Sequence, residues 1–244
     1  MGGVSFRYYP DGFIFADAGM SIFGEKDDLL SLLPILNSSL ADAWADIINP
    51  TINLEIGDVS RFPLIELDSK KIKENTLNAI EISKSDWDSR ELSWEYDSDK
   101  LVRTYSKGES LSDVVVKFKK IAAKEVGKLK GIEEDNARII KERLSLVNEI
   151  SDIVNLSDIT LFNNPLSKSS KKAEANGLWE GEVVEDLVSY SVGCMFGRYS
   201  IDKGGLILAN QGSTLANYYA QIPNPRFVPA VSYTHLRAHE TTLH

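Results

Sequence analysis

The residue types that could do acid–base or metal chemistry gather at one end of this 244-residue chain. Its three histidines, His235, His239 and His244, all lie in the closing stretch VSYTHLRAHETTLH, at spacings of four and five. Such spacing could hold a metal ion, but a polar chain terminus is a poor place for the ordered outer shell a metal site needs. Residues 1–231 contain no histidine, which removes Ser-His-Asp and Cys-His catalysis and histidine-ligated metals from them. The single cysteine, Cys194, excludes an internal disulfide and sits in an apolar stretch from Val192 to Phe196. It reads as a buried, inert thiol, because reactive cysteines need an electropositive, partly exposed setting.

Phosphate-cradling glycine motifs are also absent: neither G-x-x-x-x-G-K-[ST] nor G-x-G-x-x-G occurs, and Gly204-Gly205 reads as a tight turn. FNNPL, from Phe162 to Leu166, carries an Asn-Pro pair. It lacks the second proline and the aromatic ring with which an Asn-Pro-Pro-Tyr loop grips the exocyclic amine of a flipped base.

What remains is a set of groups suited to contact rather than catalysis. Lys117, Lys120, Lys124 and Lys128 are spaced three, four and four residues apart. On a helix they form one stripe, able to meet phosphates, or simply a solvated face beside an apolar seam. FRYYP sets Arg7 beside Tyr8 and Tyr9. Arginine can read base edges and aromatic rings can wedge or stack; the plainer alternative is a strand whose alternate residues fill the core. With Arg61 these make up the candidate DNA contacts. Trp87 and Trp94 read as packing anchors more readily than as a stacking platform.

Which elements would position these groups? Apolar residues make up 43% and charged residues 26%, the composition of an ordinary globular protein. No apolar run approaches the roughly 18 residues that cross a bilayer, and MGGVSFRYYPDGF shows no signal-peptide pattern, so a cytoplasmic protein with no membrane partner is expected. Net charge is −9, spread unevenly: residues 1–67 carry three basic and ten acidic side chains, residues 68–172 twenty and nineteen. No region is strongly basic overall, which argues against a simple nucleic-acid-binding domain while leaving local patches open.

Residues 4–24 read as strands around a Tyr9-Pro10-Asp11-Gly12 turn. A helix follows Asp27-Asp28, with Pro34 early in it or breaking it, and Asn49-Pro50 ends it. Ile52, Leu54 and Ile56 alternate as in a half-buried strand. A connecting helix is expected over 68–83, then an ordered loop through SDWDSRELSWEYDSD. A long helix runs from Ser110 to about residue 148, opened by Ser110 and Asp113 at capping-box spacing and weakened by Gly127 and Gly131. NNPLSKSSKKAEANG reads as a loop or linker. Beyond it come a helix over 180–197, a strand at GLILA and a helix from about Thr214. The expected class is α+β: a mixed strand/helix part over 1–67, a helical connector over 68–160 and a mixed α/β part over 161–231.

In order along the chain these segments resemble a known family. SFRYYPDGFIFADAGMSIFG, LLPILNSSLADAWADIINPTINLEIGDVSRFPL, SDWDSRELSWEY, IEEDNARIIKERLSLVNEISDIVNLSDITL and DLVSYSVGCMFGRYSIDKGGLILANQG are together similar to the target-recognition and C-terminal regions of the PglX family, large adenine-specific DNA methyltransferases of BREX phage defence. The last segment is the most specific. The resemblance implies a fragment, from about Phe6 to Pro229, of an enzyme that transfers a methyl group from S-adenosylmethionine to adenine N6 in double-stranded DNA. Its cofactor motif and catalytic loop would lie N-terminal to this part. The fragment would then contribute DNA recognition, with no catalytic or cofactor-binding residue of its own, and would contact other phage-defence proteins. The alternatives are a stand-alone DNA-specificity subunit and a protein-interaction module built round the helix at 110–148. The resemblance stops after NPRFVPAV, so residues 232–244, with all the histidines, read as a non-native tail left by sequencing.

Overall fold

The computed structural model describes residues 5–10, 12–14, 20–49, 54–67, 69–146, 148–168 and 171–229. The histidine tail, Asp11 of the expected turn and Ile52 of the expected strand lie outside them. The described residues contain helices α1 (Lys26–Leu36), α2 (Ser39–Ile48), α3 (Ile56–Val59), α4 (Lys70–Asp88), α5 (Lys100–Thr104), α6 (Leu111–Arg143), α7 (Lys172–Met195) and α8 (Leu215–Gln221), with a single 3-10 turn at Pro165–Ser167.

No strand occurs among the described residues, so the expected α+β class is corrected to a helical one. Each misread segment has a local reason. The backbone N–H of Phe6 donates to the side-chain oxygen of Asn37 at 2.9 Å, and the Asn37 amide donates back to the Phe6 carbonyl at 3.1 Å. One amide side chain thus takes the place of a partner strand. At Ile56 the chain turns into α3, because the Asp58 carboxylate accepts from the Glu55 N–H at 3.1 Å and from the Asn49 amide at 2.6 Å. In GLILA the neighbours Ile207 and Leu208 are both buried, against Tyr218 and Ile222, so the segment does not alternate.

Pro34 lies inside α1, which ends two residues later; α2 restarts at Ser39, so one expected helix is two. The expected connector helix runs on through Asp86 and Trp87 to Asp88, and α7 begins at Lys172, inside the stretch read as a linker. The long helix is present as α6. Its cap is reciprocal: the Asp113 N–H donates to Ser110 Oγ and the Ser110 N–H to the Asp113 carboxylate, each at 3.2 Å.

The chain divides into two compact units, Met1–Ser83 with Glu125–Ile159, and Lys84–Lys124 with Thr160–His244. In the first, Ile35, Leu40, Leu67, Ile72 and Ile140 form the core. In the second, Leu101, Val114, Phe118, Ala122, Trp179 and Val183 bring α5, α6 and α7 together, with the Phe118 and Trp179 rings stacked at 5.7 Å. A second cluster there joins Tyr96, Tyr190, Cys194 and Tyr199. No helix among the described residues is long and apolar enough to cross a membrane.

Candidate nucleic-acid interface

Titratable groups that depart from their ordinary values are mostly structural. Burial pushes the Cys194 thiol up, with a hydrogen bond to Tyr190 opposing it, and Cys194 is only 5% exposed, as an inert thiol should be. Burial pushes Tyr199 up to about 12 and raises Tyr96 and Tyr190 as well. Burial also raises Asp99, whose carboxylate caps α5 by accepting from the N–H groups of Leu101 and Val102 at 2.8 and 3.2 Å. Among the described residues no cluster of His, Cys, Asp and Glu could hold a metal ion.

The expected contact residues fare differently from one another. In the first unit, Arg7, Tyr8 and Tyr9 are exposed, so they do not fill a core as strand residues would. Arg7 donates from Nη1 to the Phe6 carbonyl at 3.0 Å, and Tyr9 meets Phe13 edge to face at 5.9 Å. Arg61 is exposed just beyond α3. Lys128 is exposed and ion-paired to Glu125 at 2.7 Å.

In the second unit, Lys117 is engaged: its ammonium donates to the Thr104 carbonyl at 2.9 Å and to Ser106 Oγ at 3.0 Å, and pairs with Glu109 at 3.2 Å. Lys119 pairs with Glu180 at 2.8 Å. Lys120 and Lys124 are exposed and have no hydrogen bond or ion pair among the described residues. One helical turn apart, they share a face of α6. The stripe read from spacing is therefore not uniform, since its members differ in what already holds them.

Sequence reasoning passed over a further group in the second unit. Arg90 lies over the Phe162 ring, 4.6 Å from its centroid, and Trp87 meets the same ring at 5.6 Å. Trp87, read as a packing anchor, is 43% exposed, and Trp94 is 85% exposed. By sequence the Asp86-Trp87-x-x-Arg90 stretch reads as part of an ordered loop, whereas α4 runs through Asp88; its meeting with Phe162 depends on a long-range hydrogen bond that spacing does not reveal.

No family model matches the chain. It is similar to two curated proteins. One is the adenine-specific methyltransferase BrxX of Escherichia coli O9:H4 (strain HS), 35% identical over 218 residues, which covers 86% of this chain and 17% of that protein. The other is the adenine-specific methyltransferase PglX of Lacticaseibacillus casei (strain Zhang), 30% identical over 227 residues, covering 91% of this chain and 18% of that protein. The chain thus spans less than a fifth of the length of the relatives it matches.

Proposed function

We propose, for a chain that corresponds over most of its length to one stretch of the PglX-type adenine-specific methyltransferases, that it serves such an enzyme by holding double-stranded DNA rather than by transferring the methyl group. The observation that carries this reading is the pair Lys120 and Lys124. They are exposed cations with no acceptor among the described residues, on a helix whose neighbouring lysines are tied to carboxylates. An ammonium without an internal acceptor is free to displace counterions from a phosphate backbone. Arg7, Tyr8, Tyr9 and Arg61 add exposed groups of the right chemistry in the other unit.

S-adenosylmethionine belongs to the parent reaction, and the residues here do not fit it. Its usual seat is a glycine-rich turn after a strand; the sequence has no such motif and the described residues contain no strand. The residue roles are binding and orientation, with the methyl donor and the adenine-gripping loop supplied from elsewhere in the enzyme. The setting would be a phage-defence methylation system.

Purified chain should shift a labelled duplex and transfer no labelled methyl group from S-adenosylmethionine to it. Methyl transfer by this chain alone would overturn the division of labour.

A second reading, a protein-interaction module, is favoured by α7. Leu178, Val188, Val192 and Met195 are each more than two-fifths exposed there, on the side away from buried Trp179, Val183 and Tyr190. A long helix apolar on both faces is normally covered on both. Cross-linking to other phage-defence proteins that is lost in a Val188→Glu, Val192→Glu variant would support this reading.

A further inference from the structure

We infer that Arg90, held on the Phe162 ring beside Trp87, is a further DNA contact whose guanidinium takes two adjacent acceptor atoms of the duplex. This rests on the reading of the chain as a DNA-holding segment and adds a site to it.

The site is built before any ligand arrives. The Asp86 carboxylate accepts from the Phe162 N–H at 2.6 Å, the Asn163 N–H at 3.1 Å and the Asn163 side-chain amide at 2.7 Å. Those bonds tie the FNNPL segment to the end of α4. Asn164, only 1% exposed, accepts from the Leu166 N–H at 3.1 Å and fixes the turn that follows. The Phe162 ring is thereby set under Arg90.

Stacking uses the face of a guanidinium and leaves its in-plane N–H donors for other partners. Within the chain they have none: the Arg90 side chain makes no hydrogen bond or ion pair among the described residues. The carboxylates nearest in sequence are occupied. Asp86 has the three bonds above, Asp88 accepts from Lys84 and from Ser93 Oγ at 2.6 Å, and Glu91 accepts from Ser189 Oγ at 2.6 Å. A preorganised fork with no internal acceptor, on a partly exposed aromatic surface, suits a pair of adjacent acceptors. In a duplex these are two phosphate oxygens or O6 and N7 of a guanine.

The test is duplex binding by the full chain, followed by fluorescence anisotropy across salt, with wild type, Arg90→Gln, Arg90→Lys and Lys120→Glu/Lys124→Glu compared. Arg90→Gln should weaken binding about fivefold to tenfold, as for one lost charge-assisted contact. Its circular dichroism and melting temperature should match wild type. If Arg90→Lys restores binding equally on all duplexes and the salt slope of Arg90→Gln is lower by about 0.9, the acceptors are phosphate oxygens. If Arg90→Lys fails to restore it and the loss depends on one G·C pair, they are guanine atoms. Wild type that binds with a lysine-dependent slope, with Arg90→Gln indistinguishable from it, overturns the inference alone. Wild type that binds no duplex overturns the DNA-holding reading and the inference with it.

Discussion

Asn75 of α4 donates its side-chain amide to the side-chain oxygen of Asn136 of α6 at 2.9 Å, and both residues are at most 5% exposed. A polar pair set in the first unit beside the Ile72 and Ile140 core fixes which faces of the two helices meet, because each amide is costly without the other. Asn136→Leu should therefore destabilise the chain by about 1–3 kcal/mol, through the stranded Asn75 donor. Asn75→Leu/Asn136→Leu should recover much of that loss. Denaturant titration of the two variants checks this, and equal stability of the single and double variants would contradict it.

Glu133 should make stability fall with rising pH. Burial, aided by the nearby Asp158 charge and opposed by Arg7, pushes its carboxyl up from 4.5 to about 7. The folded state thus holds this proton more tightly than the unfolded chain does. Its contribution is fully present below pH 4.5 and is lost as pH rises through about 7. Glu133→Gln cannot ionise, so its advantage over wild type should grow across that window. Denaturation midpoints measured between pH 4.5 and 7.5 test it; parallel profiles for the two proteins would refute it.

Gly193→Ala should destabilise the second unit. A Cβ at Gly193 would lie 2.5 Å from Cδ2 of Tyr199, whose ring is 1% exposed and stacked on Tyr190 at 5.3 Å. The same stretch ends α7 in a left-handed glycine: Gly197 has φ +75°, the Arg198 N–H donates to the Gly193 carbonyl at 2.8 Å, and the Gly197 N–H donates to the Cys194 carbonyl at 3.0 Å. Displacing a packed ring typically costs about 1–3 kcal/mol. A lowered melting temperature is expected, with near-ultraviolet dichroism changed by the moved tyrosines; an unchanged melt would show that the ring is not packed on the helix.

Lys117 and Lys124, equivalent by spacing, should behave differently. Lys117→Ala removes the cation that closes the Thr104, Ser106 and Glu109 end of α5, so thermal stability should drop while duplex affinity barely changes. Lys124→Ala should do the reverse, since its side chain holds nothing else together among the described residues. Melting curves and duplex titrations of both variants separate the two roles.

The contrast between these lysines marks how far the sequence could be read. α6 and its Ser110–Asp113 cap were legible because helix periodicity and capping act over a few residues, and the same holds for α8 behind Thr214. The strands were misread because short apolar alternation fits either state. A single tertiary amide at Asn37, or a capping carboxylate at Asp58, decides between them. Which lysine is already paired, and that Arg90 meets Phe162, depend on residues far apart in the chain, such as Lys119 with Glu180 and Asp86 with Phe162. The family likeness was legible because it rests on several segments in one order, and similarity over 86% of the chain bears it out.

The most direct test of the DNA-holding role is the salt dependence of duplex binding by wild type and by Lys120→Glu/Lys124→Glu. Affinity should fall steeply with salt for wild type, and the logarithmic slope should be shallower by about 1.8 in the double variant, as for two lost phosphate contacts. An identical slope, or no duplex binding by wild type at any salt, would contradict it.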